Sequence, residues 1–500
     1  MLTPICSNKT LLKNMSKKPN ILFIMTDQQR LSAVSAYGQT PCQTPHIDRL
    51  AAEGTLFENA YTTFPVSSPA RASVLTGLYP HAHGVTANIH EIACSVHELP
   101  DGPHLLPRRL QTAGYSTGYT GKWHLGTERG QSFYGQQTPS LPSTFGFEGE
   151  DFGGHGGDGH NYALYRQWLA DQGFEHAVAP WSEPTTNIRA GLLEVPTEAT
   201  VPAFLVDRTL AHIEGFAQRD RPFYMALNFW GPHSPYHATR EFVEQYRDVE
   251  IPPWPNYAWD AYGTEGPHHY KIHWDQERLD WDDWAMAVRY YYARSAMIDS
   301  QIGVLYAALE ASGQLDNTVI IFTADHGETL GSHGGLLDKG WHHFEETHRI
   351  PMIVRMPDGA GAGKRRDELV SLADVYSTVL DLAGDCSEDH SSHGRSLMPL
   401  VRNEPVAWRD AVVTEFLGLG HIGTCMKTLR CGALKYGYNL TYRDELYNLE
   451  NDPHEMHNLA TDRAYAEPLE ELRDRLDDWM VETSDPALRM YRWHRRRLKA

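Results

Sequence analysis

The chain has 500 residues and a formal net charge of −20, from 44 basic and 64 acidic side chains. That length is enough to bury a large core, either as one big α/β domain with an appendage or as two or three units. The acidic balance excludes non-specific binding to nucleic acid or to an acidic membrane surface, so any anion must be held by locally concentrated positive charge.

The N-terminal MLTPICSNKTLLKNMSKKPN has no apolar core of a leader peptide, and no apolar run of roughly 18 residues occurs anywhere. A cytoplasmic protein is expected, or a periplasmic one if a signal peptide preceded this sequence. Residues 1–17 read as a tail, with Met15 an alternative start. The six cysteines (Cys6, Cys42, Cys94, Cys386, Cys425 and Cys431) are scattered without a CxxC pair or a metal-ligand spacing. Reduced thiols are expected rather than a disulfide framework.

The first strong element is PNILFIMTD, a continuous apolar run of strand length ending at Asp27. Such a run suits a strand buried on both faces, as in a parallel sheet. NTVIIFTADHGE, with Asp325 and His326 at its end, and RIPMIVRMP repeat the pattern, and helical stretches such as residues 285–313 lie between. Strands alternating with helices predict an α/β fold with a large, mostly parallel sheet sandwiched by helices. Ligands in such folds gather at the carboxyl ends of strands, where Asp27, Asp325 and His326 fall.

Residues 127–200 and 236–283 break the pattern, with stretches such as EDFGGHGGDGH, PPWPNYAWDAYG and HHYKIHWDQERLDWDDW. They read as long irregular insertions, the usual place for substrate loops. Trp254, Trp259, Tyr262 and Trp274 are candidates for stacking on sugar faces, or else core aromatics of the insertion. From residue 386 short strands and turns (DAVVTEF, MKTLRCGALKYGYN) and a charged amphipathic helix near residues 463–482 predict a smaller α+β subdomain. The expected division is therefore a tail at 1–17, a main domain at 18–385 and a C-terminal subdomain at 386–500.

PVSSPARASVLTGLYPHAHG, residues 65–84, reads as a loop entering a helix. Ser68 suits the cap, Pro69 the first helical position, and Gly77 the stop after Ala70–Thr76. Ser67 would then stand just before the helix, where free N–H groups and the helix dipole favour an anion. Arg71 in the first turn adds positive charge that an anionic partner would explain. A capped helix with a surface arginine fits the same residues.

Ser67-Ser68-Pro69-Ala70-Arg71 followed by LTG resembles the sulfatase signature Cys/Ser-x-Pro-x-Arg-x-x-x-Leu-Thr-Gly. Its companions recur in family order: MTDQQ, GKWHLG (121–126), GPHSP (231–235), TADHGE (323–328), DKGWHHFEETHRIPMIV and ELYNLENDPHEMHNLA (445–460). The likeness runs from about residue 18 to about residue 480. It points to bacterial type I sulfatases of the alkaline phosphatase superfamily, and so implies an alkaline-phosphatase-like fold and hydrolysis of a sulfate monoester to an alcohol and inorganic sulfate.

In that family the first signature residue is oxidised by a maturase to formylglycine, an aldehyde that hydrates to a gem-diol. A plain serine would become a stable serine sulfate. A diol can attack sulfur with one hydroxyl and release sulfate after deprotonation of the other. Serine-type members exist, matured by radical-SAM enzymes, although most members carry Cys; Ser67 is thus either native or a replacement of Cys.

The resemblance implies a metal site of Asp27, Gln28, Asp325, His326 and an oxygen of residue 67, holding Ca²⁺, with Mg²⁺ or Mn²⁺ as alternatives because His326 is a ligand. Many members have Asp-Asp where this chain has Asp27-Gln28, which removes one negative charge from the site. Lys122 and Lys339 would bind sulfuryl oxygens, and Arg71 would help orient the diol. His124 would act as the base in sulfate release and His233 as the general acid, an imidazole titrating near neutrality suiting either task. His81 and His83 would lie near the pocket without an assigned role. The expected substrate is a carbohydrate sulfate ester on a monosaccharide or short glycan end. The alternatives are a phosphonate monoester or phosphodiester hydrolase of the same superfamily, and a sulfated-glycan binder that no longer turns over.

Overall fold

The computed structural model describes residues 18–126, 140–155, 158–180, 188–260, 263–269, 279–385 and 392–498. The 1–17 tail with Cys6 and Met15, and also Tyr262, Trp274 and Cys386, lie outside the described residues. The described cysteines, Cys42, Cys94, Cys425 and Cys431, are free thiols. Among the described residues no helix is long and apolar enough to cross a membrane.

The apolar run Asn20–Asp27 is a strand buried along its whole length. It pairs in parallel with Phe223–Pro232 on one side and Thr318–Ala324 on the other. Its alternate residues feed two cores, because successive side chains of a strand point to opposite faces. Leu22 and Ile24 pack with the long helix Trp281–Ala311 and the helix Val201–Ala217. Ile21, Phe23 and Met25 pack on the other face with residues of the helices Ser67–Thr76, Leu106–Thr112 and Asp374–Ala383. A central strand that must be apolar on both sides dictates helices on both sides.

Among the described residues the main sheet has nine strands. Ser116–Gly121 and Glu148–Gly149 extend it in parallel beyond Phe223–Pro232. On the far edge Met352–Arg355 runs antiparallel between Thr318–Ala324 and Thr55–Tyr61, and Lys364–Ser371 returns parallel to Thr55–Tyr61. The sheet is therefore mixed but mostly parallel, as expected.

Two expectations change. The helix of the signature begins at Ser67, not after Ser68: Val66, with φ −149° and ψ 144°, is the capping residue. Ser68 is not a cap because its hydroxyl is committed elsewhere, donating to the His124 carbonyl at 2.6 Å and accepting from the Ile89 N–H at 3.1 Å. Every residue of the helix is buried, so Arg71, 3% exposed, is no surface arginine. Gly77 does end the helix, in the left-handed region at φ 69°. The insertions also prove less irregular than their composition suggests: Val178–Pro180, Ala190–Leu193 and Tyr236–Thr239 form a three-stranded sheet that joins them. Strands of three or four residues are too short to show alternation.

The C-terminal part is an antiparallel sheet of Ala411–Leu419, Ile422–Cys431, Leu434–Asn439 and Glu445–Asn448. The helix Ala466–Glu482 covers it with Leu469, Leu472, Leu476 and Met480. Leu397, Met398, Leu400 and Val401, which lie beyond residue 386, pack into the core of the main sheet.

A buried ionic cluster ties the C-terminal sheet to the segment that follows the signature helix. Lys427 pairs with Glu415 and, at 2.6 Å, with Asp485, and its ammonium lies 5.6 Å from the Trp479 ring. His81, just past the signature helix, completes it with Nδ1 2.9 Å from Glu415. Burial would raise the Glu415 carboxyl, but Lys427 and His81 hold it well below the usual range. Glu415→Gln should lower stability by about 3–5 kcal/mol near pH 7, since it leaves Lys427 without its closest partner. A depressed carboxyl stabilises above its unfolded pKa of about 4.3, and that stabilisation is lost as pH falls through the folded value. The gap between wild type and variant in urea unfolding should therefore hold from about pH 5 upward and narrow progressively as pH falls below about 4.

Candidate active site

Asp27 ends the central strand, and Asp325 follows the neighbouring strand Thr318–Ala324, in which Ala324 stands opposite Thr26. Parallel register alone brings the two carboxylates side by side, both fully buried. Two cations from elsewhere in the fold oppose them. Arg71 reaches Asp325 Oδ2 through Nε at 3.1 Å and Nη2 at 2.9 Å. Its remaining nitrogen, Nη1, donates to the Lys122 carbonyl and to Asn228. Lys122, at the end of the strand Ser116–Gly121, places Nζ 2.6 Å from Asp27 Oδ2. Burial would raise the Asp27 carboxyl, but Lys122 and Arg71 hold it well below the carboxylate range. Burial, only partly offset by Asp27, pushes Lys122 down to about 8.

Ser67 sits at the meeting point. Its Oγ is 3.3 Å from Asp27 Oδ1, 3.2 Å from His326 Nε2 and 3.3 Å from Lys122 Nζ. On the opposite rim the His233 N–H donates to the Asp27 carbonyl, and its ring lies 2.8 Å from Lys339 Nζ. Lys339 also donates to Gln28 Oε1 at 2.5 Å and pairs with Asp338 at 3.0 Å. The structure thus gathers Asp27, Gln28, Ser67, Arg71, Lys122, His233, Asp325, His326 and Lys339 around one spot, although they come from six separate stretches of chain.

Asp27, Asp325 and His326 have donor atoms within 4.8 Å of one another, with Ser67 Oγ beside them. His326 Nδ1 donates to the Gly327 carbonyl at 2.9 Å, so Nε2 carries the lone pair and faces the carboxylates. Burial lowers the His326 pKa further, which keeps the ring neutral. Carboxylate oxygens with one neutral imidazole and a hydroxyl suit a hard divalent cation. Gln28 stands differently: its amide nitrogen donates to Glu328 and, at 2.9 Å, to Asp338, and its oxygen faces Lys339. Its backbone N–H, not its side chain, reaches the cluster, donating to Asp325 Oδ1 at 2.9 Å.

His124 makes no hydrogen bond to Ser67. Its ring belongs to a row: stacked on His90 at 5.3 Å, edge-on to His155 at 4.9 Å, and through His155 next to His233 at 5.1 Å. Burial lowers all four, His233 to about 3 with help from the Lys339 ammonium. The expectation of imidazoles titrating near neutrality does not match this resting site, in which the row is neutral. His81 and His83 are committed elsewhere, His81 to Glu415 and His83 to Ser73 Oγ at 3.2 Å. Trp254 donates to the Leu330 carbonyl and lies under Arg30, and Trp259 packs against His268, His333 and Phe344. Both are packed against the protein's own groups.

Sequence reasoning missed His90, His155, Asn228 and Glu328. For Asn228 a signal existed: it is the one amide in the wholly buried strand FYMALNFWGP, and a buried polar group needs a partner. Glu328, fully buried, accepts from Gln28, from Tyr236 at 3.0 Å and from the Asp338 N–H. His90 and His155 lie in stretches that carry no pattern of their own.

The sulfatase family model matches residues 19–385, and the model for the N-sulphoglucosamine sulphohydrolase C-terminal region matches residues 331–482. The chain is 31% identical to the uncharacterized sulfatase YidJ of Escherichia coli (strain K12), over 95% of this chain and 90% of that one. It is 26% identical to the N-acetylglucosamine-6-O-sulfatase of Bacteroides thetaiotaomicron, over 96% and 89% of the two chains. Among solved structures, the phosphonate monoester hydrolase of Agrobacterium radiobacter has the same fold, with a TM-score of 0.75 at 24% identity, covering 93% of this chain and 96% of that one.

Calorimetric titration of the protein with Ca²⁺ should reveal a site that Asp325→Asn weakens by more than about 100-fold, beyond the ~10–100-fold typical of losing an outer partner of a ligand. Unchanged affinity would rule out the Asp27–Asp325–His326 cluster as that site.

Proposed function

The chain belongs to the sulfatase family of enzymes, and on that premise we propose that it hydrolyses a sulfate monoester on a carbohydrate, with residue 67 acting as formylglycine and Asp27, Asp325 and His326 holding a divalent cation. The observation that carries this reading is Ser67 Oγ, 3.3 Å from a carboxylate, 3.2 Å from an imidazole lone pair and 3.3 Å from an ammonium at once. The named activity of the Bacteroides relative supports the carbohydrate.

A sulfate monoester carries one negative charge, and its alkoxide is a poor leaving group. The site must therefore neutralise the sulfuryl oxygens, supply a nucleophile and deliver a proton. Bound at the carboxylates, a divalent cation would supply positive charge to the sulfuryl oxygens and favour the ionised nucleophile. Hydrated formylglycine, made from Ser67 by a maturase, would supply a second hydroxyl, whose loss of a proton frees the sulfate that a plain serine would retain. Lys122 and Lys339 flank the spot from opposite rims and hold the anion. Arg71, fixed on Asp325 by two hydrogen bonds, holds that carboxylate in place.

His233 gives the proton to the leaving oxygen from Nε2. Its Nδ1–H is tied to the Ser234 carbonyl at 2.6 Å, so in the resting site Nε2 accepts from Lys339. An incoming sulfuryl anion opposes the cations that depress this ring and raises its affinity for a proton. Substrate binding thus arms the acid. His124, neutral and with a buried Nδ1 that lacks a hydrogen-bond partner among the described residues, supplies the base.

A second reading, a phosphonate monoester or phosphodiester hydrolase, is favoured by His326 in the second metal segment and by the fold likeness above. Turnover of an aryl sulfate against that of a phosphonate monoester separates the two.

The mass of the peptide bearing Ser67, from protein made in its native host or with a radical-SAM maturase, should be lower by two hydrogens, with an aldehyde trapped by a hydrazide. An unmodified serine under both conditions would leave a binding site, or a site awaiting Cys at position 67. With modified protein, His233→Ala should cut kcat on an alkyl sulfate by about 10²–10⁴-fold with little change in KM. The loss should be far smaller on an aryl sulfate, whose phenolate leaves unaided. Equal losses on both substrates would refute the acid role.

A further inference from the structure

A second group of metal-ligating side chains lies outside the catalytic cluster. Asp158, 4% exposed, points one carboxylate oxygen at His160 Nδ1 and the other at His237 Nδ1, 3.5 Å away. The His176 ring stacks on His160 at 4.6 Å with 12° between planes. Donor atoms of Asp158, His160 and His176 lie within 4.8 Å of one another. The buried Nδ1 of His176 has no hydrogen-bond partner among the described residues, and that of His237 has only the long contact to Asp158. Buried ring nitrogens are normally well paired, and two so poorly satisfied beside one carboxylate point to a ligand shared between them.

We propose that Asp158, His160, His176 and His237 bind a second divalent cation of the zinc type, distinct from the catalytic ion. Imidazoles with a single carboxylate select Zn²⁺ and its first-row neighbours, whereas Ca²⁺ and Mg²⁺ need several oxygens. Arg294 sharpens that choice. Its positive charge lowers the Asp158 carboxyl while Nη1 donates to the His237 carbonyl at 3.2 Å, so the carboxylate charge is already partly opposed and the imidazoles must supply the affinity. A hard ion gains little there. With Zn–N near 2.0 Å, tetrahedral donors stand about 3.3 Å apart, a distance that rotations of the ring-bearing side chains can reach.

The ligands come from three elements. Asp158 and His160 lie on the loop before the helix Ala163–Asp171, His176 lies just ahead of the strand Val178–Pro180, and His237 lies within Tyr236–Thr239. His155 is on the same loop, three positions before Asp158, and its ring touches those of His124 and His233. The cation would fasten this loop to the small sheet and hold His155 against the catalytic row. Its role is to position, not to react, and its binding does not rest on the sulfatase chemistry.

The test titrates metal-free protein with Co²⁺ in excess Ca²⁺, followed by Zn²⁺. One equivalent of Co²⁺ should bind with the visible absorption of nitrogen-ligated cobalt, be displaced by Zn²⁺, and persist in Asp325→Asn, in which the catalytic cluster is broken. His160→Ala/His176→Ala should lose at least about 100-fold in affinity, and Zn²⁺ should raise the unfolding temperature of wild type but not of this variant. Wild-type protein that binds no such equivalent overturns the proposal whatever the variants do. So does uptake that survives in His160→Ala/His176→Ala, or that vanishes in Asp325→Asn. Should the double variant not fold, His176→Gln alone, at a half-exposed position, must weaken Co²⁺ binding by at least about 10-fold.

Discussion

Two carboxylates buried at the ends of adjacent parallel strands set the terms for the rest of the molecule. Burying Asp27 and Asp325 side by side out of water is costly unless cations stand against them. Arg71 and Lys122 meet that demand, and each dictates a piece of architecture. Arg71 reaches Asp325 only because the whole helix Ser67–Thr76 is sunk between the main sheet and the helix Asp374–Ala383. Lys122 reaches Asp27 only because Ser116–Gly121 lies one strand beyond Phe223–Pro232, where its end overlooks the same carboxyl edge. Charge balance acts together with the apolar packing of Ala70, Ala72, Val74 and Leu75 to fix where the signature helix sits.

Burial, reinforced by the same fixed cations, explains the neutral histidines: His90, His124, His155 and His233 rest unprotonated, ring against ring. Neutral imidazoles can either accept or donate at either nitrogen, which suits a site that must take a proton in one step and give one in another. Glu328 supports the opposite rim. Buried and pushed up by burial and by Asp338, it holds Gln28, and Gln28 in turn holds Lys339.

Much of the fold and the heart of the site were legible in the sequence. PNILFIMTD and NTVIIFTADHGE announce doubly buried strands because each packs four or five large apolar residues in a row (ILFIM, VIIF) into a run of strand length, and an acidic residue at the end of each is visible by eye. The signature located Ser67 and Arg71, and family order located Lys122, His233 and Lys339. What stayed hidden depends on contacts between distant parts of the chain. The Ser68 hydroxyl looks like a cap until Ile89 and His124 are seen to claim it. The three-stranded sheet of the insertions is made of strands too short to carry a period. Trp254 and Trp259 look like sugar platforms until Arg30 and Phe344 are found against them. His155 is one histidine of 27, and only the fold places it between two catalytic candidates.

The depth of the signature helix also sets a schedule. Asp325, the partner of Arg71, lies 254 positions downstream. At ribosomal speeds of about 5–20 residues per second, that separation corresponds to a delay on the order of 10–50 s. Throughout that interval the stretch around Ser67 is made but cannot be closed over, and afterwards it is 1% exposed. For the maturase proposed above, residue 67 would thus be open chiefly on an unfinished chain, and a strain making this protein faster than that enzyme would accumulate folded, unconverted molecules.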